Sequence, residues 1–204
     1  YENDGSESFT ARDITTSAQT AYCVYAMDID SDGDIDVLSA SHGDNTIAWY
    51  ENTTSTAFDP EFTDHTITTS ADGAHSVFAI DMDKDGDMDV LSASMNDDKI
   101  AWYQNNGSES FTAHTITTNA DGTISVYAVD MDNDGDIDVL GAHFLENKIE
   151  WYENNGSENF FGHTITSSAE GAYSVYAVDV DNDGYIDVLS AGISSRIDLY
   201  KNNG

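Results

Sequence analysis

The 204-residue chain has one cysteine, one proline and six Lys and Arg against 39 Asp and Glu. Each shortage excludes something. A lone Cys23 cannot close an intramolecular disulfide, so the covalent staple of small secreted domains is missing and another must be found. Six basic residues within a formal charge of −33 leave no footprint for displacing counterions from phosphates, which excludes nucleic acid as a partner. Anionic membrane surfaces repel such a chain for the same reason. No apolar run is long enough to cross a bilayer, so membrane insertion is not expected. The chain opens at Tyr1 with neither Met nor a signal-peptide pattern and is read as a mature or trimmed product.

Eight Phe, eleven Tyr and three Trp, with regularly placed Val, Ile and Leu, supply the core that disordered acidic chains lack. The apolar residues follow a repeat. Asp28-Ile-Asp-Ser-Asp-Gly-Asp-Ile-Asp36 returns at Asp81 to Asp89, Asp130 to Asp138 and Asp179 to Asp187. Around each copy the same text recurs: Val-Tyr/Phe-Ala before it, Asp-Val-Leu after it, then Ile-x-Trp/Leu-Tyr, then Phe and Thr-Ile-Thr/Ser. Four repeats, approximately 22–69, 75–118, 124–167 and 173–201 plus 8–16, fill a single domain.

Within the second repeat, 76–81, 88–94, 100–103 and 111–118 are rich in β-branched and apolar residues, and Gly, Asn, Asp and Ser separate them. Each repeat therefore reads as four short strands joined by tight turns. Four-stranded units at this period are the blades of a β-propeller, whose sheets pack face to face. The expected fold is all-β: four blades of four antiparallel strands. The last repeat stops at a third strand, Arg196 to Tyr200, whereas Phe9 to Thr16 matches only a fourth strand. The N-terminal strand is expected to complete the last blade and close the ring. The alternatives are a piece of a larger ring, or two chains building one.

Asp-x-Asp-x-Asp-Gly-Asp-x-Asp between the first two strands of such a repeat resembles the FG-GAP or VCBS repeat, as found in the calcium-bearing blades of integrin α-subunit propellers and in many bacterial surface proteins. Calcium takes six to eight hard oxygens, and carboxylates two residues apart with a glycine at the sixth position wrap such a cation. Each loop offers side chains at positions 1, 3, 5 and 9 and a carbonyl at 7. The sets are Asp28, Asp30, Asp32, Asp36 with Asp34; Asp81, Asp83, Asp85, Asp89 with Asp87; Asp130, Asp132, Asp134, Asp138 with Asp136; and Asp179, Asp181, Asp183, Asp187 with Tyr185. The places where an EF-hand needs a bidentate Glu hold Ser39, Ser92, Gly141 and Ser190, so the loop is not an EF-hand. Four Ca2+ per chain are expected to replace the missing disulfides, since carboxylates gathered this closely repel without a cation. Sites of this kind fill where calcium is millimolar, which points outside the cell, and the resemblance to repeats of bacterial surface proteins implies a secreted or surface-exposed bacterial protein.

His65, His114 and His163 open equivalent fourth strands and are read as structural, because one recurs per repeat. Trp49, Trp102 and Trp151 are read as inter-blade core. The repeats differ most at the end opposite the Asp loops, where His42, Asn45, His75, Met95, Phe144, Leu145, Tyr173, Ile193 and Arg196 form the candidate contact surface. No nucleophile-elbow, zinc-binding or phosphate-loop motif occurs, so no catalytic residue is assigned. The leading expectation is a non-enzymatic recognition or adhesion module binding a glycan or a protein. A structural subunit binding copies of itself and a polysaccharide-degrading propeller are the rivals.

Overall fold

The computed structural model describes residues 2–3, 9–54 and 60–204, which form strands, turns and bends. A hairpin of β1 (Glu2–Asn3) and β2 (Phe9–Thr10) comes first. The first sheet contains β3 (Ala21–Met27), β4 (Asp36–Ser41), β5 (Thr46–Asn52) and β6 (Phe62–Thr68). The second contains β7 (Ala74–Ile80), β8 (Asp89–Ser94), β9 (Lys99–Asn105) and β10 (Phe111–Thr117). The third contains β11 (Thr123–Val129), β12 (Asp138–His143), β13 (Lys148–Asn154) and β14 (Phe160–Thr166). The fourth contains only β15 (Ala172–Val178), β16 (Asp187–Gly192) and β17 (Arg196–Tyr200). Each is an antiparallel meander in chain order, so fifteen strands make four sheets of four, four, four and three.

The sheets stack in sequence, and a separate core fills each gap. Leu38, Ala40, Ile47 and Trp49 of the first sheet meet Val77, Ala79, Val90 and Tyr103 of the second. Leu91, Ile100 and Trp102 likewise meet Val126, Val139 and Tyr152, and Leu140 and Ile149 meet Val175 and Val188. Inner strands have both faces buried, which explains β8's unbroken burial along Asp-Val-Leu-Ser-Ala-Ser. Side chains also tie neighbouring inner strands together: Val126 N–H donates to Ser76 Oγ at 3.3 Å, and Val175 N–H donates to Ser125 Oγ at 3.2 Å.

One expectation fails. Phe9 to Thr16 does not complete the fourth sheet: β17 pairs with β16 alone among the described residues, and 11–20 contains no strand. The reason lies in the register. Glu2 pairs with Thr10 and Asn3 with Phe9, as Glu153 pairs with Phe161 and Asn154 with Phe160 between β13 and β14. The edge of Phe9–Thr10 that β17 would need is already taken by the chain's own Glu2–Asn3. The four sheets therefore form an open arc, with β3 exposing Val24 at one end and β17 exposing Ile197 and Leu199 at the other.

Candidate metal centres

Each Asp loop joins the first strand of a sheet to its second, and its shape follows from two left-handed residues. Position 4, Ser31, Lys84, Asn133 or Asn182, has φ between 61° and 64°, and the glycine at position 6 has φ between 95° and 101°. A Cβ on Gly33, Gly86 or Gly184 would meet nothing within 4 Å, so backbone conformation and not space demands glycine there. The resulting turn directs alternate carboxylates inward and lets them accept the loop's own amides. In the first loop Gly33 N–H donates to Asp28 Oδ2 at 3.1 Å, Asp32 N–H to Asp30 Oδ1 at 3.1 Å and Asp34 N–H to Asp32 Oδ1 at 2.8 Å.

Four clusters result, in each of which one oxygen per carboxylate lies within 4.8 Å of the others: Asp28, Asp30 and Asp32; Asp81, Asp83 and Asp85; Asp130, Asp132 and Asp138; Asp179, Asp181 and Asp187. Oxygens at about 2.4 Å from one Ca2+ stand at most about 4.8 Å apart, so the spacing fits a shared ion. A second observation supports the fit: Asp28 Oδ1, Asp81 Oδ1 and Asp130 Oδ1 are buried and accept no hydrogen bond from the protein. A buried carboxylate oxygen without a donor is costly unless a cation satisfies it. Crowding is also felt within the loops: burial raises the Asp30 pKa, with Asp32, Asp36 and Glu51 adding to it, and Asp132 behaves alike.

Position 9 has a further task. Asp36 is fully buried, Oδ2 accepting Ile29 N–H at 2.9 Å and Oδ1 accepting Asn52 N–H at 2.8 Å. The same clamp recurs at Asp89 with Met82 and Asn105, at Asp138 with Met131 and Asn154, and at Asp187 with Val180 and Asn202. It locks the loop to the end of the third strand. Burial pushes both Asp89 and Asp138 up to about 6 in the absence of a cation. Asp36 and Asp89 stand outside their three-carboxylate clusters, whereas Asp138 and Asp187 stand inside theirs. Sequence reasoning passed over the asparagines of this clamp, although each follows its Asp by 16 residues, or 15 in the last sheet.

The cages also differ in one neighbour at the end of the third strand: Glu51, Gln104 and Glu153 lie within β5, β9 and β13, and Lys201 directly follows β17. Gln104 Nε2 donates to Asp83 Oδ2 at 2.5 Å. Lys201 Nζ contacts Asp181 closely and lies 3.5 Å from Asp183 Oδ2, lowering the Asp181 pKa. The fourth loop thus carries an internal cation. On the other side of the strand His65 pairs with Glu51 at 2.9 Å and stacks on Trp49 at 4.4 Å; His114 and His163 repeat the arrangement with Gln104 and Trp102, and with Glu153 and Trp151. Each histidine thus packs on its tryptophan and hydrogen-bonds a neighbouring side chain, the once-per-repeat arrangement that its periodicity leads one to expect.

At the opposite end the structure gathers part of the expected contact surface. Tyr22 stacks on His75 at 4.4 Å, His42 meets the Tyr22 edge at 5.4 Å, and Tyr173 meets His75 at 5.9 Å. His75 Nδ1–H donates to Ile124 O at 3.0 Å, and burial lowers its pKa. Leu145 and Ile193 are exposed, standing over Gly122 and Gly171, and Met95 and Phe144 are half-buried. Asn45 has a scaffold task, its Oδ1 accepting Gly73 N–H at 2.9 Å, and Arg196 is held by Asp198 at 2.6 Å.

Stacked antiparallel meanders, three of four strands and one of three, each with an Asp cage between its first two strands, define an Asp-loop repeat protein in architecture. The chain belongs to the FG-GAP-like repeat family, whose model matches residues 28–92, 81–141 and 130–190. Comparison with curated sequences finds no match. Similar solved structures include a lectin of Agrocybe aegerita that recognises non-reducing terminal N-acetylglucosamine, at 18% identity and TM-score 0.59 over 91% of this chain and 50% of that one. BBS1N, solved in complex with ARL6DN, aligns at 12% identity and TM-score 0.60 over 94% of this chain and 57% of its own. The V. cholerae biofilm matrix protein Bap1 aligns at 19% and 0.50, over 92% and 30%. The chain thus spans about half the length of the first two and under a third of the last. Identities this low establish likeness of fold alone.

Proposed function

We propose that the chain is a non-enzymatic, extracellular β-propeller module in which calcium rigidifies one end so that the other can recognise a glycan or a protein. The observation that carries this reading is the set of buried, donorless carboxylate oxygens at Asp28, Asp81 and Asp130, each at the first position of its loop. Bound Ca2+ would supply the positive charge that these three oxygens lack. The protein's own part is to fix the carboxylates through loop amides and to lock each loop to a third strand through the Asp–Asn clamp. Asp28, Asp30 and Asp32 and their counterparts hold the ion; Asp34, Asp87, Asp136 and Tyr185 offer main-chain carbonyls. In the fourth loop Lys201 must be displaced first.

The recognition end is assigned to the aromatic rim of Tyr22, His42, His75 and Tyr173 with Leu145 and Ile193 beside it. Aromatic rings and exposed apolar side chains on a rigid frame suit a sugar face or a protein surface. Solved structures of similar fold include a lectin and a protein complex, which is compatible with either ligand. The experiment is a glycan array and a protein pull-down with the intact chain in calcium, comparing wild type with Tyr173→Ala and Phe144→Ala. Binding lost in the variants at unchanged calcium content is expected. Ligand retained by both, or captured at the Asp loops, overturns the assignment.

A further inference from the structure

The ends of the arc expose the two halves of an interface that the chain makes three times internally. In each internal gap the leading face of one sheet meets the trailing face of the next. On leading faces, Ile47, Ile100 and Ile149 are 0% exposed, but their counterpart in the fourth sheet, Ile197, is 81% exposed. On trailing faces, Val77, Val126 and Val175 are at most 5% exposed, but their counterpart in the first sheet, Val24, is 70% exposed. Val180 and Leu199 extend the uncovered leading face, where Ile29 and Trp49 are buried in the first sheet.

Polar and aromatic details agree with the apolar ones. Tyr25, Phe78, Tyr127 and Tyr176 form a row, one ring per sheet, with centroids 5.0, 4.9 and 4.8 Å apart. Tyr176, at the end of the row, is exposed. Ser76 and Ser125 accept the N–H of the valine in the following sheet, whereas their counterpart Ser174 is exposed. The outer edge of β17 is unpaired among the described residues, and the sequence ahead of the first sheet, Phe9 to Thr16, is that of a fourth strand.

We infer that the leading face of the fourth sheet docks on the trailing face of the first sheet of a second copy, head to tail. Ile197, Leu199 and Val180 would then be covered by Val24 and its surroundings, Tyr176 would continue its row onto the partner's Tyr25, and Ser174 would face the partner's Val24. The contact is heterologous, so copies close into a ring when both ends engage and add one after another when they do not. This rests on the stacking of the sheets and is independent of ligand recognition and metal identity.

The test is light scattering on size-exclusion chromatography and native mass spectrometry of the intact chain, in calcium and enough salt to screen the −33 charges. A mass of twice 22.1 kDa, or a higher multiple, that falls to 22.1 kDa on dilution is expected. Val24→Asp and Ile197→Asp should each abolish it while leaving circular dichroism unchanged, because both side chains are exposed in the single chain. Mixing the two variants restores one intact interface and should give a complex of twice the chain mass and nothing larger. A wild-type chain that stays at 22.1 kDa throughout, association that survives in either variant, or a mixture that fails to associate overturns the inference.

Discussion

Acidification between pH 6.5 and about pH 4 is expected to destabilise the fold through one buried histidine in the third sheet, His143. Its ring is 0% exposed, and burial lowers its pKa from 6.5 to about 4. Tyr152 O–H donates to Glu150 Oε2 at 2.9 Å, so the 3.1 Å contact between Tyr152 Oη and His143 Nε2 requires that the histidine donate. Lys148 closes the network at 2.9 Å from Glu150 Oε1. The neutral ring thus has its proton on Nε2, and Nδ1 is buried without a partner. Above pH 6.5 neither folded nor unfolded His143 is charged, and the native state bears no penalty. As pH falls toward 4 the unfolded state takes up a proton that the native state refuses, and stability is lost. The difference of about 2.5 pKa units limits the loss to about 3 kcal/mol.

Two carboxylates titrate in the same window with opposite sign. Asp89 and Asp138, raised to about 6, take up protons in the folded state before the unfolded chain does, so acidification stabilises their part of the fold. The assay must therefore be a difference. Gly141→Ser with His143→Ser rebuilds the arrangement of the second sheet, where Ser92 meets the Tyr103 hydroxyl at 3.2 Å and Ser94 stands at the strand end. Urea unfolding of wild type and double variant, followed by circular dichroism at matched calcium, should show the wild type losing up to about 3 kcal/mol relative to the variant between pH 6.5 and about 4. A difference that stays flat across that interval would refute the reasoning.

Chelation should lower the melting temperature cooperatively, because emptied cages leave buried carboxylates facing one another; a transition indifferent to EDTA under conditions that demonstrably strip the ion removes calcium as the staple. Lys201→Glu should tighten the fourth site toward the affinity of the first and third, where Glu51 and Glu153 stand, as read by calorimetric titration; unchanged affinity means that Lys201 does not compete. Asp89→Ala should cost about 2–5 kcal/mol even without metal, since it orphans the Met82 and Asn105 amides, whereas Asp85→Ala should mainly empty the second site; equal metal-free stabilities in urea melts would remove the clamp.

Much of this architecture is legible because repeated text carries its own registration. Strand positions follow from Val-x-Ala, Asp-Val-Leu and Ile-x-Trp-Tyr, and the loop geometry follows from glycine at position 6 and Asp at alternate positions. What escapes the sequence is the second partner of a side chain. Asp36 reads as a ligand on spacing alone, yet its two oxygens are claimed by Ile29 and by Asn52, which lies 16 residues away. Lys201 reads as one surface charge among few, and only the fold places it over Asp181. Closure of the ring was unreadable for a similar reason: Phe9 to Thr16 has the sequence of a fourth strand, but its first residues find a nearer third strand in Glu2–Asn3. A local hairpin closes a shorter loop than a pairing between the chain's two ends and loses less entropy.

The four sheets also act as a substitution series within one molecule, because equivalent positions share nearly the same backbone. Where the third sheet has Gly141, a Cβ would lie 2.7 Å from His143 Cε1 and 2.9 Å from Ile100 Cδ1, the far end of a flexible side chain that can shift, so the glycine and the histidine form one compensated change. Serine at 141 alone should clash, and serine at 143 alone should leave a void, while the pair together should be tolerated; coupling of this kind is what contacting core positions show. Cys23 gives the contrasting case. It stands where Ser76 and Ser125 accept an amide N–H, but its thiol instead approaches Val77 O at 3.7 Å, and the first gap lacks the hydroxyl link of the other two. A thiol is a weak donor and acceptor, so this interface relies more on Trp49, Ile47 and Val77 than its neighbours do on their equivalents. The interior interfaces therefore tolerate loss of the polar link when the apolar contact is complete. By the same reasoning, the exposed Val24 and Ile197 contribute more to any contact at the ends of the arc than Ser174 does.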